Sequence, residues 1–202
     1  MSLWLAAQPL VLASRSSARK SLLEAAGIPF EVRAVDINER AIEASAGDLG
    51  PSQVANLLAE TKARASAAGW PGRIVLGADQ TLALETRRFN KPDDRASARE
   101  QLRALAGHSH ELHSAVVVAS GEDVLFACVQ SARLTMRTMS DQFIETYLDT
   151  TGSQALASVG SYQLEGLGIH LFERIEGDHF TILGLPLLPL LAFLRRCRLL
   201  AG

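Results

Sequence analysis

The sequence lacks several features that define large classes of protein. Cysteine occurs only twice among 202 residues, at Cys128 and Cys197, and this separation matches neither a disulfide scaffold nor a cysteine-type zinc site. Aromatic residues make up 5% of the chain and the formal net charge is −2, so stacking platforms and a basic excess are both missing. We therefore expect no nucleic-acid partner, although a balanced net charge is compatible with a local site for a small anion.

Long apolar runs are also missing. No run reaches the ~20 residues that a transmembrane helix needs, and the richest one, at residues 182–194, contains Pro186 and Pro189. The apolar stretch at residues 3–13 has no basic residue before it, which is atypical of a signal peptide. We expect no membrane partner and a cytoplasmic location.

What is present is the composition and the patterning of a folded α/β protein. Apolar residues make up 48% and charged residues 21% of the chain, which excludes a disordered protein. Patterns typical of buried strands alternate with helical patterns. We predict strands at residues 10–13, 30–35, 74–78 (continued at 81–84) and 87–89, and strand-like segments at residues 169–175 and 180–183. We predict helices at residues 17–27, 51–68, 95–106, 140–149 and 186–198, and a polar loop at residues 36–50.

The middle of the chain predicts a mixed sheet. Residues 111–120 and 124–139 are long β-type segments separated by a short polar turn, which is typical of a hairpin. A hairpin within an alternating α/β pattern makes the sheet mixed rather than purely parallel. We therefore predict a single α/β domain over residues 1–202, with a mixed, twisted sheet flanked by helices; two lobes around a central cleft are one arrangement of such a domain.

The first candidate site is the turn between the first strand and the first helix. Residues 14–20 read Ser-Arg-Ser-Ser-Ala-Arg-Lys, so hydroxyls and cations surround a helix N-terminus, where free backbone N–H groups favour an anion. Basic residues in a first turn oppose the helix dipole, and a bound anion would remove that conflict. The alternative is a helix capped by Ser16 or Ser17 whose basic side chains are solvated.

The second candidate site is the acidic residue at the end of the third predicted strand. Asp79 follows Gly77 and Ala78, and ligands of α/β sheets bind beyond the carboxyl ends of strands. A carboxylate at this place serves as a metal ligand or a general base. The alternative is an aspartate that caps a turn.

Single charged residues elsewhere are less specific signals. Glu39 lies in the polar loop, Lys62 on an amphipathic helix and Lys91 before a proline, and such residues are by default solvated. Glu165 lies within residues 160–168, a stretch whose glycines allow the backbone to approach another group closely. Its carboxylate would face either the edge of a nucleobase or water.

These features belong to a larger set of short motifs that follow one another along most of the chain. In order, they are residues 12–23, Asp36 to Glu39, Lys62 within residues 59–63, Gly77-Ala78-Asp79, Lys91-Pro92, Gly107-His108, residues 160–168 and residues 184–187. From about Leu10 to Leu191, this order and spacing resemble the motifs of the Maf family of nucleoside triphosphate pyrophosphatases.

The resemblance implies a deep nucleotide cleft in a fold of the Maf/ITPase type. It also implies an enzyme that splits a nucleoside triphosphate into the monophosphate and pyrophosphate with Mg²⁺ or Mn²⁺. By matching position, Asp79 is implied as the general base, and Glu39 and Asp79 as metal ligands. Four further residues are implied to contact the phosphates: Ser14, Arg19, Lys62 and Lys91.

Three positions depart from the commonest family pattern and bear on base specificity. Ala18 stands where many members have the first arginine of a pair. Gln80 stands where the branch that cleaves dTTP and UTP has threonine, and Glu165 where it has glutamine, so both resemble the 7-methyl-GTP branch instead. A carboxylate accepts hydrogen bonds from guanine N1–H and N2–H₂ and favours a cationic methylated ring. The resemblance therefore implies 7-methyl-GTP as the preferred substrate, with dTTP or UTP as the alternative.

The sequence leaves a second class of function open. The resemblance includes a link to cell-division arrest, so the alternative to an enzyme is a non-catalytic, nucleotide-binding regulator of division, an inhibitor of septum formation. No feature of the sequence favours this alternative specifically. The oligomeric state is open as well, with a homodimer among the alternatives.

Overall fold

Strands and helices alternate along residues 3–202, which are the residues that the computed structural model describes. The strands are β1 Leu10–Leu12, β2 Phe30–Val32, β3 Val75–Leu84, β4 Arg87–Phe89, β5 Ser109–Ser120, β6 Asp123–Met136 and β7 Phe172–Glu176. The helices are α1 Ser17–Ala25, α2 Glu39–Ser45, α3 Pro51–Ala68, α4 Arg95–Leu105, α5 Asp141–Thr151, α6 His179–Ile182 and α7 Leu187–Arg196. Short 3₁₀ turns occur at Gly152–Leu156, Val159–Ser161 and Leu167–Leu171.

The strands form a mixed sheet, as predicted. Their order is β2-β1-β3-β5-β6-β7, and β4 pairs with β3. β1 pairs in parallel with both β2 and β3, whereas the β3–β4 and β6–β7 pairs are antiparallel. The predicted α/β fold with a mixed sheet is therefore confirmed, and so is the predicted helix over residues 51–68. The strand predicted at residues 180–183 is wrong, because His179–Ile182 form the helix α6.

The chain divides into two compact units. The first comprises the chain up to Gln80 together with His113–Gln130 and His179–Gly202, and the second comprises Thr81–Leu112 and Ser131–Asp178. Within residues 3–202, no helix combines the length and the apolar character needed to cross a membrane.

The core of the first unit lies on both faces of β1 and β3. Because successive strand residues point to opposite faces, Leu10 and Leu12 pack among leucines of α1 and α7, and Val11 and Ala13 pack against α3. The residues that α3 contributes are small: Ala55, Ala59, Ala63 and Ala67. Small side chains bring the axis of α3 close to the sheet.

A glycine in β3 makes this close approach possible. A Cβ atom at Gly77 would collide with the carbonyl oxygen of Ala59 and would lie 2.7 Å from the backbone nitrogen of Ala63. The backbone of α3 therefore rests directly on β3 at this point. Lys62, which stands between these two alanines in the sequence, is placed by the same contact.

In the second unit, α4 and α5 are joined by ion pairs over buried apolar residues. Leu102 and Leu105 of α4 and Ile144 and Leu148 of α5 are buried. Polar groups are also buried in this unit: Nε2 of His110 lies 2.8 Å from the hydroxyl of Tyr162.

The predicted polar loop at residues 36–50 is wrong in part, because it contains the helix α2. Asn38 caps this helix, its side chain accepting a hydrogen bond from the N–H of Ala41 at 3.0 Å. None of the residues of α2 is buried, so the segment has no apolar stripe from which a helix would be predicted. The helix places Glu39 in its first turn.

Candidate active site

The start of α1 is capped by Ser16, whose Oγ accepts a hydrogen bond from the backbone N–H of Arg19 at 3.4 Å. Of the two predicted caps, Ser16 and Ser17, the structure therefore uses Ser16. Ser14 Oγ accepts from the N–H of Ser16 at 3.3 Å and from Nη1 of Arg19 at 3.1 Å. Ser14 accepts both bonds, so its own proton is used in neither of them.

Arg19 is buried and fastens α1 to two other segments. Its Nε donates to the carbonyl oxygen of Gly184 at 2.8 Å, and its Nη1 donates to the carbonyl oxygen of Ala78 at 2.9 Å. Burial lowers the pKa of Arg19, and the nearby carboxylates of Asp79 and Glu39 oppose that shift. The guanidinium thus holds the backbone of β3 at Ala78, immediately before Asp79.

Three of the predicted site residues converge on one point of the first unit. The Nζ atom of Lys62, from α3, is hydrogen-bonded to Asp79 Oδ1, from β3, and lies 2.8 Å from Glu39 Oε1, from α2. The side chains of Lys62 and Asp79 are 11% and 10% exposed, whereas that of Glu39 is 50% exposed. One ammonium group therefore bridges a buried carboxylate and a carboxylate in contact with solvent.

The environment of Asp79 acts on its ionisation in two opposite ways. Burial raises the pKa of Asp79, because a desolvated carboxylate is less stable in its charged form. The positive charges of Lys62 and Arg19 lower it. Burial is the larger effect, so the pKa of Asp79 lies above its usual value, and a carboxylate with a raised pKa can exchange a proton with a reacting group.

The donor set of the cluster fits a hard divalent cation that is bound together with an anionic ligand. Within residues 3–202, no group of three or more His, Cys, Asp or Glu side chains forms a complete metal site. Two carboxylates, those of Glu39 and Asp79, nevertheless converge on a single positive charge. Mg²⁺ is commonly held by one or two carboxylates plus the phosphates of a substrate, and the cluster supplies that number of carboxylates.

Asp79 lies inside β3, which continues to Leu84, and not at the end of a strand as predicted. Gln80 follows it, so the side chain of Gln80 points to the opposite face of the strand. Its Nε2 donates to Ser114 Oγ at 2.9 Å, to the carbonyl oxygen of Ile182 at 2.9 Å and to that of Thr181 at 3.2 Å. Asp79 is therefore flanked by two tethered neighbours, since Arg19 holds the carbonyl of Ala78 on its other side.

The remaining predicted residues lie outside these contacts. Ala18 is half-buried on α1. Lys91, after β4, and Glu165, between two of the 3₁₀ turns, belong to the second unit, and both are exposed. Their roles in binding phosphate and base stay predictions.

Ser114 and Thr181, which accept hydrogen bonds from Gln80, were not predicted from the sequence. Both are buried, with exposed fractions of 0%. Each is a hydroxyl residue inside an otherwise apolar segment. A buried hydroxyl needs a hydrogen-bond partner, so this pattern could have indicated a buried polar contact. Ser114 precedes the apolar residues 115–119, and Thr181 lies among the apolar residues 180–183.

A family comparison agrees with the extent of the motifs. The sequence model described as "Maf-like protein" matches residues 9–197. The chain belongs to the Maf family. The converging residues of this Maf protein, Glu39, Lys62 and Asp79, all lie within the matched range.

Several relatives of this Maf protein match along almost their whole length. A protein of Rhodopseudomonas palustris named nucleoside triphosphate pyrophosphatase is 59% identical over 201 residues, which is 100% of each chain. A protein of Rhizobium meliloti named 7-methyl-GTP pyrophosphatase is 50% identical over 188 residues, covering 92% of this chain and 94% of its own length. Among solved structures, a HAM1 protein from Coxiella burnetii aligns with a TM-score of 0.41 and 16% identity, covering 63% of this chain and 72% of that chain.

Proposed function

We propose that this Maf protein hydrolyses a nucleoside triphosphate to the monophosphate and pyrophosphate with the help of a divalent cation, and that it prefers 7-methyl-GTP. At the coarser level it is an enzyme, a nucleoside triphosphate pyrophosphatase and hence a hydrolase of acid anhydrides. Family membership and a full-length relative with 59% identity support that level.

The observation that carries the proposal is the cluster of Lys62, Asp79 and Glu39. Hydrolysis requires the oxygen of a water molecule to form a bond to the α-phosphorus while the bond from that phosphorus to the bridging oxygen of the pyrophosphate breaks. In this proposal the carboxylate of Asp79 takes the proton of the attacking water. The positive charges of Lys62 and Arg19 lower the pKa of Asp79 against the larger effect of burial, and so favour the ionised form that this step needs.

Cations are also needed to stabilise the charge that develops on the leaving pyrophosphate. In the proposal, Lys62 turns from the carboxylates to the phosphates when the nucleotide binds, and Ser14, Arg19 and Lys91 are the further phosphate-binding residues. Glu39 and Asp79 would hold the divalent cation. When bound, Mg²⁺ or Mn²⁺ supplies charge neutralisation and lowers the pKa of a bound water.

The preference for 7-methyl-GTP rests on Gln80 and Glu165. A carboxylate at position 165 accepts hydrogen bonds from N1–H and N2–H₂ of guanine and favours the positive charge of a methylated ring. A relative with 50% identity that is named 7-methyl-GTP pyrophosphatase supports this assignment. Ala18 is the third position in the proposed base specificity, and dTTP or UTP is the substrate alternative.

The activity is tested by release of pyrophosphate from a panel of nucleotides. With Mg²⁺ or Mn²⁺ present, the pyrophosphate is converted to phosphate by inorganic pyrophosphatase and measured with malachite green. Reactions with EDTA are followed instead by chromatography of the nucleoside monophosphate, because inorganic pyrophosphatase itself needs Mg²⁺. We expect turnover that EDTA abolishes and that Asp79→Asn reduces by at least 10²-fold, the lower range for a general base. Asp48→Asn, at an exposed aspartate of the first unit, is the matched control and should retain full activity.

Two results would contradict the proposal. Turnover of none of the nucleotides would exclude the enzymatic function, and full activity in Asp79→Asn would exclude the role of this residue as base. Base preference is tested separately with Glu165→Gln. This substitution should lower the ratio of 7-methyl-GTP to UTP turnover, and an unchanged ratio would remove Glu165 from base recognition.

A further inference from the structure

The side-chain amide of Gln80 is fixed in one orientation by its neighbours. Three oxygens lie within 3.2 Å of Nε2: the carbonyl oxygens of Thr181 and Ile182, and Ser114 Oγ. Backbone carbonyls only accept hydrogen bonds, so the amide nitrogen, and not the amide oxygen, must face them. Rotating the amide by 180° would place oxygen against oxygen at about 3 Å.

The hydroxyl of Ser114 completes this arrangement. Its Oγ donates to the carbonyl oxygen of Thr181 at 2.6 Å. Because the single proton of the hydroxyl is used there, Ser114 meets Gln80 only as an acceptor. The direction of every hydrogen bond in the group is therefore determined, from Gln80 to Ser114 and from Ser114 to Thr181.

These hydrogen bonds use the N–H donors of the Gln80 amide, and its acceptor oxygen remains available to a ligand. Within the described residues, Oε1 of Gln80 accepts no hydrogen bond, while the two protons on Nε2 are directed at the three oxygens. A glutamine in solution offers a donor and an acceptor about equally well, since its amide rotates. Gln80 in this protein can offer a ligand only an acceptor.

We propose that Ser114 is a positioning residue that, together with the carbonyl oxygens of Thr181 and Ile182, holds Gln80 as an acceptor, so that the nucleotide presents a hydrogen-bond donor to Gln80. This proposal rests on the proposed function, in which Gln80 meets the base. Guanine carries three donor protons, one on N1 and two on N2. In the proposed function Glu165 accepts from N1–H and one N2 proton, which leaves the second N2 proton for Gln80. Uracil and thymine have a single N–H between two carbonyl oxygens, so an acceptor-only amide discriminates against them. Ser114 thus contributes to base selectivity without contacting the base.

The test compares equilibrium binding of two nucleotides that the enzyme cannot cleave, the α,β-methylene analogues of 7-methyl-GTP and UTP. Dissociation constants are measured by calorimetry for the wild type, Ser114→Ala, Gln80→Leu and the double variant. Ser114→Ala should reduce the selectivity for the guanine analogue by about fivefold, the size expected from one hydrogen bond. The double variant should be no less selective than Gln80→Leu alone, because Ser114 acts through Gln80.

Two further variants separate positioning from general stability. Ser66→Ala is the matched control, since Ser66 is a buried serine of the first unit whose Oγ donates to the carbonyl of Arg33 at 3.1 Å; it should leave the selectivity unchanged. Ser114→Thr retains the hydroxyl and should retain the selectivity. An unchanged selectivity in Ser114→Ala, or additive losses in the double variant, would overturn the proposal.

Failure of the proposed function gives a different result. If the wild type hydrolyses no nucleotide but Ser114→Ala still shifts the selectivity of binding, the positioning role stands and the enzymatic role falls. If the wild type hydrolyses nucleotides and the selectivity of binding does not shift, the positioning role falls alone.

Discussion

The ammonium group of Lys62 is hydrogen-bonded to the carboxylate of Asp79 at a place where both side chains are almost removed from water, with exposed fractions of 11% and 10%. A pair of opposite charges in such surroundings is stable only as a pair, because each charge alone would be desolvated without compensation. The contact with the more exposed Glu39, at 2.8 Å, gives the cluster an excess of one negative charge. A ligand that brings a cation and an anion together can replace these contacts without leaving a buried charge unpaired.

The first prediction concerns the removal of the ammonium group. Lys62→Met leaves the carboxylate of Asp79 buried without its partner, so the free energy of unfolding should fall by about 3–5 kcal/mol, the range for breaking a buried pair. The double variant Lys62→Met/Asp79→Leu should recover most of this loss. Urea denaturation measures the effect, and Lys91→Met, at an exposed lysine, serves as the control.

The same variant should respond more strongly to a divalent cation. In Lys62→Met the carboxylates of Glu39 and Asp79 have lost the positive charge between them, so Mn²⁺ should raise the thermal midpoint more than it does in the wild type. Thermal melts with and without MnCl₂ measure the difference. An equal rise in both proteins would show that Lys62 and the cation do not compete for these carboxylates.

The second prediction concerns the contact between α3 and β3. In Gly77→Ala the new methyl group would meet the backbone of Ala59 and Ala63, so the helix must move away from the strand. Overpacking of this kind costs about 1–3 kcal/mol, and more where backbone is involved. Because Lys62 moves with α3 and Asp79 does not, pyrophosphatase activity should fall as well.

The glycine at the C-terminal end of α3 provides the control for Gly77→Ala. At Gly69, which ends α3, a Cβ atom would meet its nearest neighbour at 3.6 Å, an ordinary contact. Gly69→Ala should therefore leave both the free energy of unfolding and the activity close to those of the wild type. A Gly77→Ala protein that matched Gly69→Ala in both respects would show that the close approach of α3 to β3 is not required.

The local elements of the first unit were predictable because their signals are local. Pro51 at the first turn and alanines at helical spacing identify α3, and the apolar run at β3 identifies a buried strand. The contact between Lys62 and Asp79 was not predictable from periodicity, because it depends on how a helix and a strand pack. Only the motifs shared with the Maf family connected these two residues before the structure did.

The polar surroundings of Gln80 escaped prediction for another physical reason. Ser114 and Thr181 lie far apart in the sequence, and each stands within an apolar segment where a hydroxyl gives no periodic signal. Two of the three acceptors around Gln80 Nε2 are backbone carbonyls, which any residue type would supply. The resemblance to the Maf family therefore identified Gln80 as a candidate for base specificity, whereas the direction of its hydrogen bonds required the structure.

The third prediction concerns the ion pairs that join α4 and α5 in the second unit. The cations are Arg95, Arg99 and Arg103 on α4, and the acids are Asp141, Glu145 and Asp149 on α5. Each set is spaced by four residues, which places its members on one helix face. Glu145 contacts both Arg95, at 2.6 Å, and Arg99, at 3.2 Å, so Glu145→Gln should lower stability more than Asp149→Asn does.

Salt dependence distinguishes this effect from a loss of packing. The side chains of these pairs are exposed, so mobile ions screen their attraction. The screening length is about 3 Å at 1 M salt. The difference in thermal midpoint between the wild type and Glu145→Gln should therefore shrink when NaCl is raised to about 1 M. A difference that stayed constant with salt would mean that Glu145 stabilises the helices by packing rather than by charge.

The fourth prediction concerns the pH dependence of folding stability and the buried His110. Burial lowers the pKa of His110 from 6.5 to about 4, and Nδ1 is buried without a hydrogen-bond partner within the described residues, so protonation would bury an unpaired charge. Between pH 6.5 and 4 the unfolded chain binds this proton and the folded chain does not. Stability should therefore fall as the pH is lowered through this range, by up to about 3 kcal/mol.

A substitution that cannot titrate isolates the contribution of His110 from that of the carboxylates. His110→Gln keeps a polar group beside the hydroxyl of Tyr162 but has no proton to gain, so its free energy of unfolding should decrease less between pH 6.5 and 4.5 than that of the wild type. His108→Gln, at an exposed position, should follow the wild-type profile. The free energy of unfolding is measured by urea denaturation at each pH. Carboxylates that titrate near the lower end of this range contribute equally in each protein, so their contribution cancels in the difference between variant and wild type. Parallel profiles for the wild type and His110→Gln would mean that the folded protein accommodates the protonated imidazole.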